Sequence, residues 1–194
     1  MSSTLCTRPI DIKKYGLIFA GAQKNLGIAG LTIVIVKKDL IIGKAKDLPP
    51  LMRFASHHND RSMLNTSPVF SWYVAGLVFE WILEQGGLDA MSKLNEMKAS
   101  LFYNYIDNST LYQNHVNPKF RSWVNIPFTM TQDDLEKKFL KMSSDAGFKN
   151  LKGHRTVGGM RASVYNAMPI KAITEPVSYT HLRAHETSLH LVCR

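Results

Sequence analysis

Two short apolar runs, YGLIFA at residues 15–20 and LTIVIV at residues 31–36, flank the stretch GAQKNLGIAG. Runs of this length, rich in β-branched residues and bounded by glycine and lysine, read as buried strands. A parallel pair needs a crossover of a dozen or more residues, and the ten residues at 21–30 cannot supply one. The two strands are therefore expected to be antiparallel neighbours joined by a glycine-containing turn. One lysine, Lys24, sits in that turn between Gln23 and Asn25.

The rest of the chain reads more loosely. Residues 44–66 are polar and punctuated by Pro49-Pro50, His57-His58 and Asn65-Thr66. They suggest a long surface loop with short helical pieces, and long ordered loops tend to carry function. Residues 68–85 read as a helix that Pro68 opens and Gly86-Gly87 stops. Val69, Phe70, Tyr73, Leu77 and Trp81 make it apolar on most sides, which predicts a well-buried helix with Trp72 and Trp81 in the core. Residues 88–105 form a second helix, with Leu94, Met97, Leu101 and Tyr105 at helical spacing.

Composition then shifts, which places a domain seam near residues 95–105. Strands are expected at 111–116, 122–129, 148–151 and 160–165, the last two around KGHRTVGG. A helix opens at Thr131-Gln132-Asp133-Asp134, which resembles a capping box, and stops at Gly147. This is an α+β arrangement. The tail at residues 176–194 starts with a helix-breaking proline, lacks periodicity and is set aside as artefactual.

Composition excludes some classes. With 194 residues and 45% hydrophobic content the chain can build a core in one large domain or two small ones. The net charge of +9 would suit nucleic acid or an anionic metabolite. No Lys/Arg run exceeds two residues, so an ordinary basic surface is the preferred reading, a phosphate-bearing substrate fits equally well, and nucleic acid is not expected. Cys6 and Cys193 form no CxxC or Cys/His metal spacing, which predicts a reducing compartment, no disulfide framework and no metal. The longest apolar run ends at Lys37-Lys38-Asp39, far short of a membrane span. The N-terminus has no apolar h-region, so no signal peptide is expected. His57-His58 reads as a solvated pair, and Asp133-Asp134 are adjacent and do not face one another as a dyad.

Lys24 in a glycine-containing loop suggests phosphate binding. The Walker pattern requires GK followed by Ser or Thr; here Gln23 precedes and Asn25 follows, so that reading fails. Residue type alone leaves two readings: an exposed surface lysine, the default, and an amine that attacks an aldehyde. The second requires a partly neutral amine, obtained by burial against the strands or by cationic neighbours. It also requires small neighbours, such as Ala20, Gly21 and Ala22, that let a flat ring approach.

The segment IDIKKYGLIFAGAQKNLGIAGLTIVIVKKDL resembles the cofactor-lysine region of the phosphoserine aminotransferase family, class-V pyridoxal-phosphate enzymes of fold type I. The resemblance continues through NTSPVFSWYVAGLVFEWI and LKGHRTVGGMRASVYNAM and covers residues 1–175. It implies a partial α/β fold: residues 1–98 as the C-terminal part of a large cofactor-binding domain, and residues 99–175 as a small α+β domain. It implies that Lys24 bonds covalently to pyridoxal 5'-phosphate and that Gln23 contacts the cofactor phosphate. Asn65 and Thr66 would reach the phosphate in the neighbouring subunit's site of a homodimer, and would also lie in the N-cap region before Pro68. His154 and Arg155 would bind the substrate phosphate, or glutamate's side-chain carboxylate, across the dimer, and Arg161 would pair with the α-carboxylate. A guanidinium fork suits both anions, although an exposed strand charge is the default for either arginine.

The implied reaction moves the amino group of L-glutamate to 3-phosphohydroxypyruvate, giving 3-phospho-L-serine and 2-oxoglutarate in serine biosynthesis. Lys24 would carry the proton. A cytoplasmic location is expected, without membrane or nucleic-acid partners; a transit peptide upstream stays open. The family also has an N-terminal portion, including an aspartate that pairs with the pyridine nitrogen and would fall just before Met1. The chain is thus expected to be a fragment, inactive alone. The alternatives are a non-catalytic truncated dimerisation module and, from charge alone, a basic nucleic-acid binder.

Overall fold

The computed structural model describes residues 1–41 and 47–174. The chain divides into two compact units, Met1–Met91 and Ser92–Arg194. The tail set aside above, residues 176–194, lies outside the described residues.

In the first unit, β1 (Leu17–Gly21) pairs antiparallel with β2 (Thr32–Val36), Leu17 opposite Val36 and Gly21 opposite Thr32. The hairpin expected from the two apolar runs is observed, but its strands are not the buried ones expected: β1 buries only Ile18 and Ala20, and no residue of β2 is buried. After β2 comes α1 (Lys38–Ile41), which is not among the expected elements, and then a 3-10 turn (Pro50–Met52) and α2 (Phe54–Asn59), the helical pieces expected within residues 44–66. Then comes α3 (Val69–Glu84). The hairpin's return leg lies against α3: Ser71 Oγ donates to the Ala29 carbonyl at 2.8 Å. Gly30, at φ +107°, permits this approach, since a Cβ there would sit 3.1 Å from Ser71 Oγ. A small core of Leu5, Ala20, Ala22 and Leu26 fills the turn from beneath.

The expectation of a well-buried α3 is not met. Only Ser71, Ala75 and Ile82 are buried. Val69, Phe70, Trp72, Tyr73, Leu77 and Leu83 are exposed, and Trp81 is half-buried, so these side chains are not core. A helix that is apolar all round needs partners all round. The small-residue stripe facing the hairpin is matched; the aromatic sides are not.

The second unit holds most of α4 (Gly87–Asp107), then β3 (Tyr112–Gln113), β4 (Asn125–Met130), α5 (Asp133–Asp145) and β5 (Met160–Ser163). The strands form an antiparallel sheet in the order β3-β4-β5, with Phe128 opposite Met160. Three expectations change. The strand at 111–116 shrinks to two residues because Ser109 Oγ captures the Leu111 and Tyr112 amides and Asn114 Oδ1 captures that of Val116. No strand forms at 148–151; Asn150 turns left-handed at φ +62°, leaving one bridge between Lys152 and Met160. The N-cap of α5 is Gln132, without a side-chain capping bond, so the capping box is not realised.

The buried stripe of α4 is also offset from the expected one. Met91, Asn95, Lys98, Ala99, Phe102, Tyr103 and Ile106 are buried, whereas Met97 and Leu101 are exposed. Both stripes carry apolar residues, and the sheet packs on the one with Phe102 and Tyr103. Tyr112, Phe128 and Phe139 meet edge-to-face with centroids 5.7–6.2 Å apart, the preferred aromatic geometry. Phe128→Ala is expected to destabilise the unit by about 3–5 kcal/mol. Leu83→Ala, on the exposed side of α3, is expected to stay within ~0.5 kcal/mol. Urea unfolding followed by circular dichroism measures both.

Candidate functional site

Lys24 stands in the first unit on the turn between β1 and β2. The Ala22 amide continues the ladder by one step, donating to Leu31 O at 2.9 Å. The chain then winds helically, Leu26 N–H donating to Ala22 O at 3.1 Å. Asn25 is buried and its Nδ2 donates to Ser3 O at 2.7 Å. Ser2 Oγ accepts from the Gly21 amide at 2.9 Å. These anchors fix the backbone on both sides of Lys24. Lys24 and Gln23 themselves are exposed, so the amine is not buried against the strands as expected.

Asn65 and Thr66 lie before α3 and are exposed. Asn65 Nδ2 donates to the Thr66 carbonyl at 3.2 Å. Neither caps the helix, because the N-cap is Pro68 and carries no side-chain bond; the proline ends the turn before a side chain can reach back. Asn65 lines a cavity of about 620 Å³ together with His57, His58, Trp72 and the outer face of β2, and Lys24 is not among its walls. His57 Nε2 is bonded to Leu51 O at 2.8 Å. Among the described residues no group of three or more His, Cys, Asp or Glu could hold a metal. No helix there is long and apolar enough to cross a membrane.

His154, Arg155 and Arg161 are in the second unit. Residues 153–159 form a turn that closes on itself: Gly153 N–H donates to Gly159 O at 2.8 Å, and His154 O accepts from the Val157 and Gly158 amides at 3.0 and 2.8 Å. A Cβ on Gly153 would overlap the Gly158 carbonyl, so only glycine closes this turn. His154 and Arg155 project from it, both exposed. Arg161 lies on β5 opposite Pro127 and is half-buried. Its Nε is buried without a hydrogen-bond partner among the described residues, at the wall of a cavity of about 490 Å³ lined by Phe102, Phe128, Phe139 and Tyr165.

Residues 1–175 match the family described as Aminotransferase class-V. The chain belongs to the class-V aminotransferases. It is 51% identical over 180 residues to a phosphoserine aminotransferase of Pseudomonas fluorescens, covering 92% of this chain and 50% of that one. The structure of phosphoserine aminotransferase from Bacillus circulans subsp. alkalophilus superposes with a TM-score of 0.90 at 44% identity, over 93% of this chain and 50% of that one. A phosphoserine aminotransferase of Trichomonas vaginalis with pyridoxal phosphate bound matches with a TM-score of 0.85 at 40% identity, over 92% and 51%. The chain thus spans about half the length of the relatives it matches, and it has the α/β, fold type I architecture of pyridoxal-phosphate aminotransferases. A cofactor aldehyde requires a reachable amine on a fixed backbone with small residues beside it. Lys24 offers such an amine on an anchored backbone with Gly21 in the adjoining strand, while Ala20 and Ala22 are fully buried beneath the turn.

Several polar residues of this class-V chain escaped the sequence pattern. Asn95 Nδ2 donates to Asn166 Oδ1 at 2.8 Å in the core. Lys98, fully buried, donates to the carbonyls of Tyr165, Asn166 and Met168 at 3.0, 3.3 and 3.2 Å. Their signal was phase: both α4 residues share the stripe of Phe102 and Ile106. Arg121 forks onto Asp107, at 2.5 and 2.8 Å, and lies 4.6 Å above the Tyr103 ring. Arg121 holds the Asp107 carboxyl below its usual range, and burial pushes Tyr103 up to about 12.

Burial lowers Lys98 from 10.5 to about 8. The unfolded chain binds a proton there between those values and the folded chain does not, so stability rises with pH across that window. The advantage is complete above pH 10.5 and lost as pH falls through 8. In chemical unfolding from pH 7.5 to 10, the stability of wild type relative to Lys98→Met is expected to rise with pH, by up to roughly 3 kcal/mol. Taking the difference cancels Tyr103 and Cys6.

Proposed function

We propose that this chain carries the covalent lysine and the anion-binding arm of a phosphoserine aminotransferase acting on L-glutamate and 3-phosphohydroxypyruvate. The observation that supports this most is Lys24, exposed on a turn whose neighbours on both sides are anchored. The names of relatives near 50% identity point the same way. Residues 1–98 then belong to the large cofactor-binding domain and residues 99–175 to the small one. The remaining half of the enzyme lies in sequence the relatives have beyond this match. The working assembly is a cytoplasmic homodimer with shared sites, and the product feeds serine biosynthesis.

Pyridoxal phosphate, when bound, supplies an electron sink. Lys24 supplies the nucleophilic amine that holds the cofactor and, once displaced, the base and then acid that moves the proton at the substrate α-carbon. Gln23, with Asn65 and Thr66 from a neighbouring copy, offers amide and hydroxyl donors to the cofactor phosphate. Arg161 offers a fork to the α-carboxylate. Arg155 presents donors only and His154 a ring N–H, which suits a phosphate or a γ-carboxylate equally.

Borohydride reduction of the full chain with pyridoxal phosphate, followed by peptide mass spectrometry, is expected to place the label on Lys24 above all other lysines and to lose it in Lys24→Ala. A label spread evenly over surface lysines would remove the assignment. The exposed aromatic sides of α3 favour one other reading, a truncated dimerisation module. It predicts association of the chain in analytical ultracentrifugation that Phe70→Ser abolishes and the cofactor leaves unchanged.

A further inference from the structure

Thr156 has no assigned role, yet it is bonded to the ring of His154 twice. Its backbone amide donates to His154 Nδ1 at 3.3 Å, and its hydroxyl lies 2.8 Å from the same nitrogen. An amide N–H cannot accept, so the nitrogen it points at must carry the lone pair. The hydroxyl can rotate to donate as well. In the neutral ring the proton is therefore on Nε2. No described residue takes Nε2, and the ring is exposed.

We propose that Thr156 is a positioning residue that fixes the tautomer of His154, so that a neutral imidazole meets the anionic end of the substrate as a donor. This deepens the reading above and rests on His154 facing that anion. The reason is electrostatic. The opposite tautomer would turn the Nε2 lone pair toward a phosphate or carboxylate, which offers only lone pairs in return. Arg155 needs no such setting, since a guanidinium only donates.

The surrounding turn keeps the geometry in place. His154 O holds the Val157 and Gly158 amides, and Gly153 is bonded to Gly159 O. The two-residue reach from His154 Nδ1 to the Thr156 amide is thereby built into a closed backbone. An asparagine or aspartate could make the same local bond. Aspartate would then have no donor left, and asparagine would have its donor on the same short amide; histidine carries acceptor and donor on opposite edges of a ring.

The test uses the ¹⁵N-labelled full chain at a pH where imidazole is neutral, read by ring ¹H–¹⁵N correlation of His154 during titration with inorganic phosphate. The expected result is a protonated Nε2, a bare Nδ1 and a phosphate-dependent shift at Nε2. Thr156→Val keeps the amide but loses the hydroxyl. It is expected to leave the proton on Nε2, because the retained amide still cannot accept, but to shift the Nδ1 signal, loosen the ring and weaken phosphate binding about threefold to fivefold, the scale of one hydrogen bond. Thr156→Ser is expected to restore the signal and the affinity, the latter to within about twofold, which a loss of fold would not allow.

A ring protonated on Nδ1 would overturn the proposal even if phosphate moved its signals. So would a Thr156→Val chain with wild-type ring signals and phosphate affinity. A fixed tautomer whose Nε2 ignores phosphate would overturn the donor role together with the anion-binding reading of His154. The first two outcomes leave that reading standing.

Discussion

Register between β1 and β2 is the constraint on which the first candidate group depends. Strand side chains alternate, so a one-residue slip would exchange buried Ile18 and Ala20 for exposed Leu17 and Phe19. The same slip would rotate the turn and carry Lys24 to the wrong side. Two features hold the register. The ladder runs one step past the strands through the Ala22 amide, and the return leg is pinned to α3 by Ser71 at Ala29. A long side chain thus acquires a defined origin from backbone bonds.

The second unit is specified differently. Its apolar core would tolerate several packings of similar volume. The buried polar groups would not. Lys98 has three protons and finds three carbonyls at residues 165–168, and Asn95 finds Asn166. Moving α4 by one turn would strand these groups at the full cost of desolvation. They hold the chain just after β5, the strand that carries Arg161. An energetically expensive residue in the core thereby fixes the exit of that strand.

The hairpin, the helices and the α+β order were legible because they rest on local periodicity and on a turn too short for a crossover. What was not legible rests on partners distant in sequence. The stripe of α4 was ambiguous because Leu94–Met97–Leu101 and Ala99–Phe102–Ile106 are equally apolar; only the sheet decides between them. The burial of α3 was overestimated because hydrophobicity shows that a helix seeks partners, and says nothing of whether they are present. The strand at 148–151 failed on Asn150, a residue tolerant of left-handed backbone. The candidate site was legible only through the motifs around Lys24 and His154. Thr156 was invisible there, because its role depends on the ring it bonds.

The exposure of Lys24, Gln23, Asn65, Thr66, His154 and Arg155 carries a last consequence. Charge-assisted bonds and proton transfers are strongest where water is excluded. The described residues anchor the backbone at Lys24 and His154 but leave these side chains exposed, while α3 exposes a row of large apolar side chains. Anchoring a side chain's base and desolvating its tip are thus separable tasks, and the first is the one seen among the described residues. Backbone-closed turns suit that division. They hold a side chain's base rigid before any wall covers it, so a covering surface has only to remove water and need not order the group it covers. The entropy of ordering is then spent during folding rather than at binding.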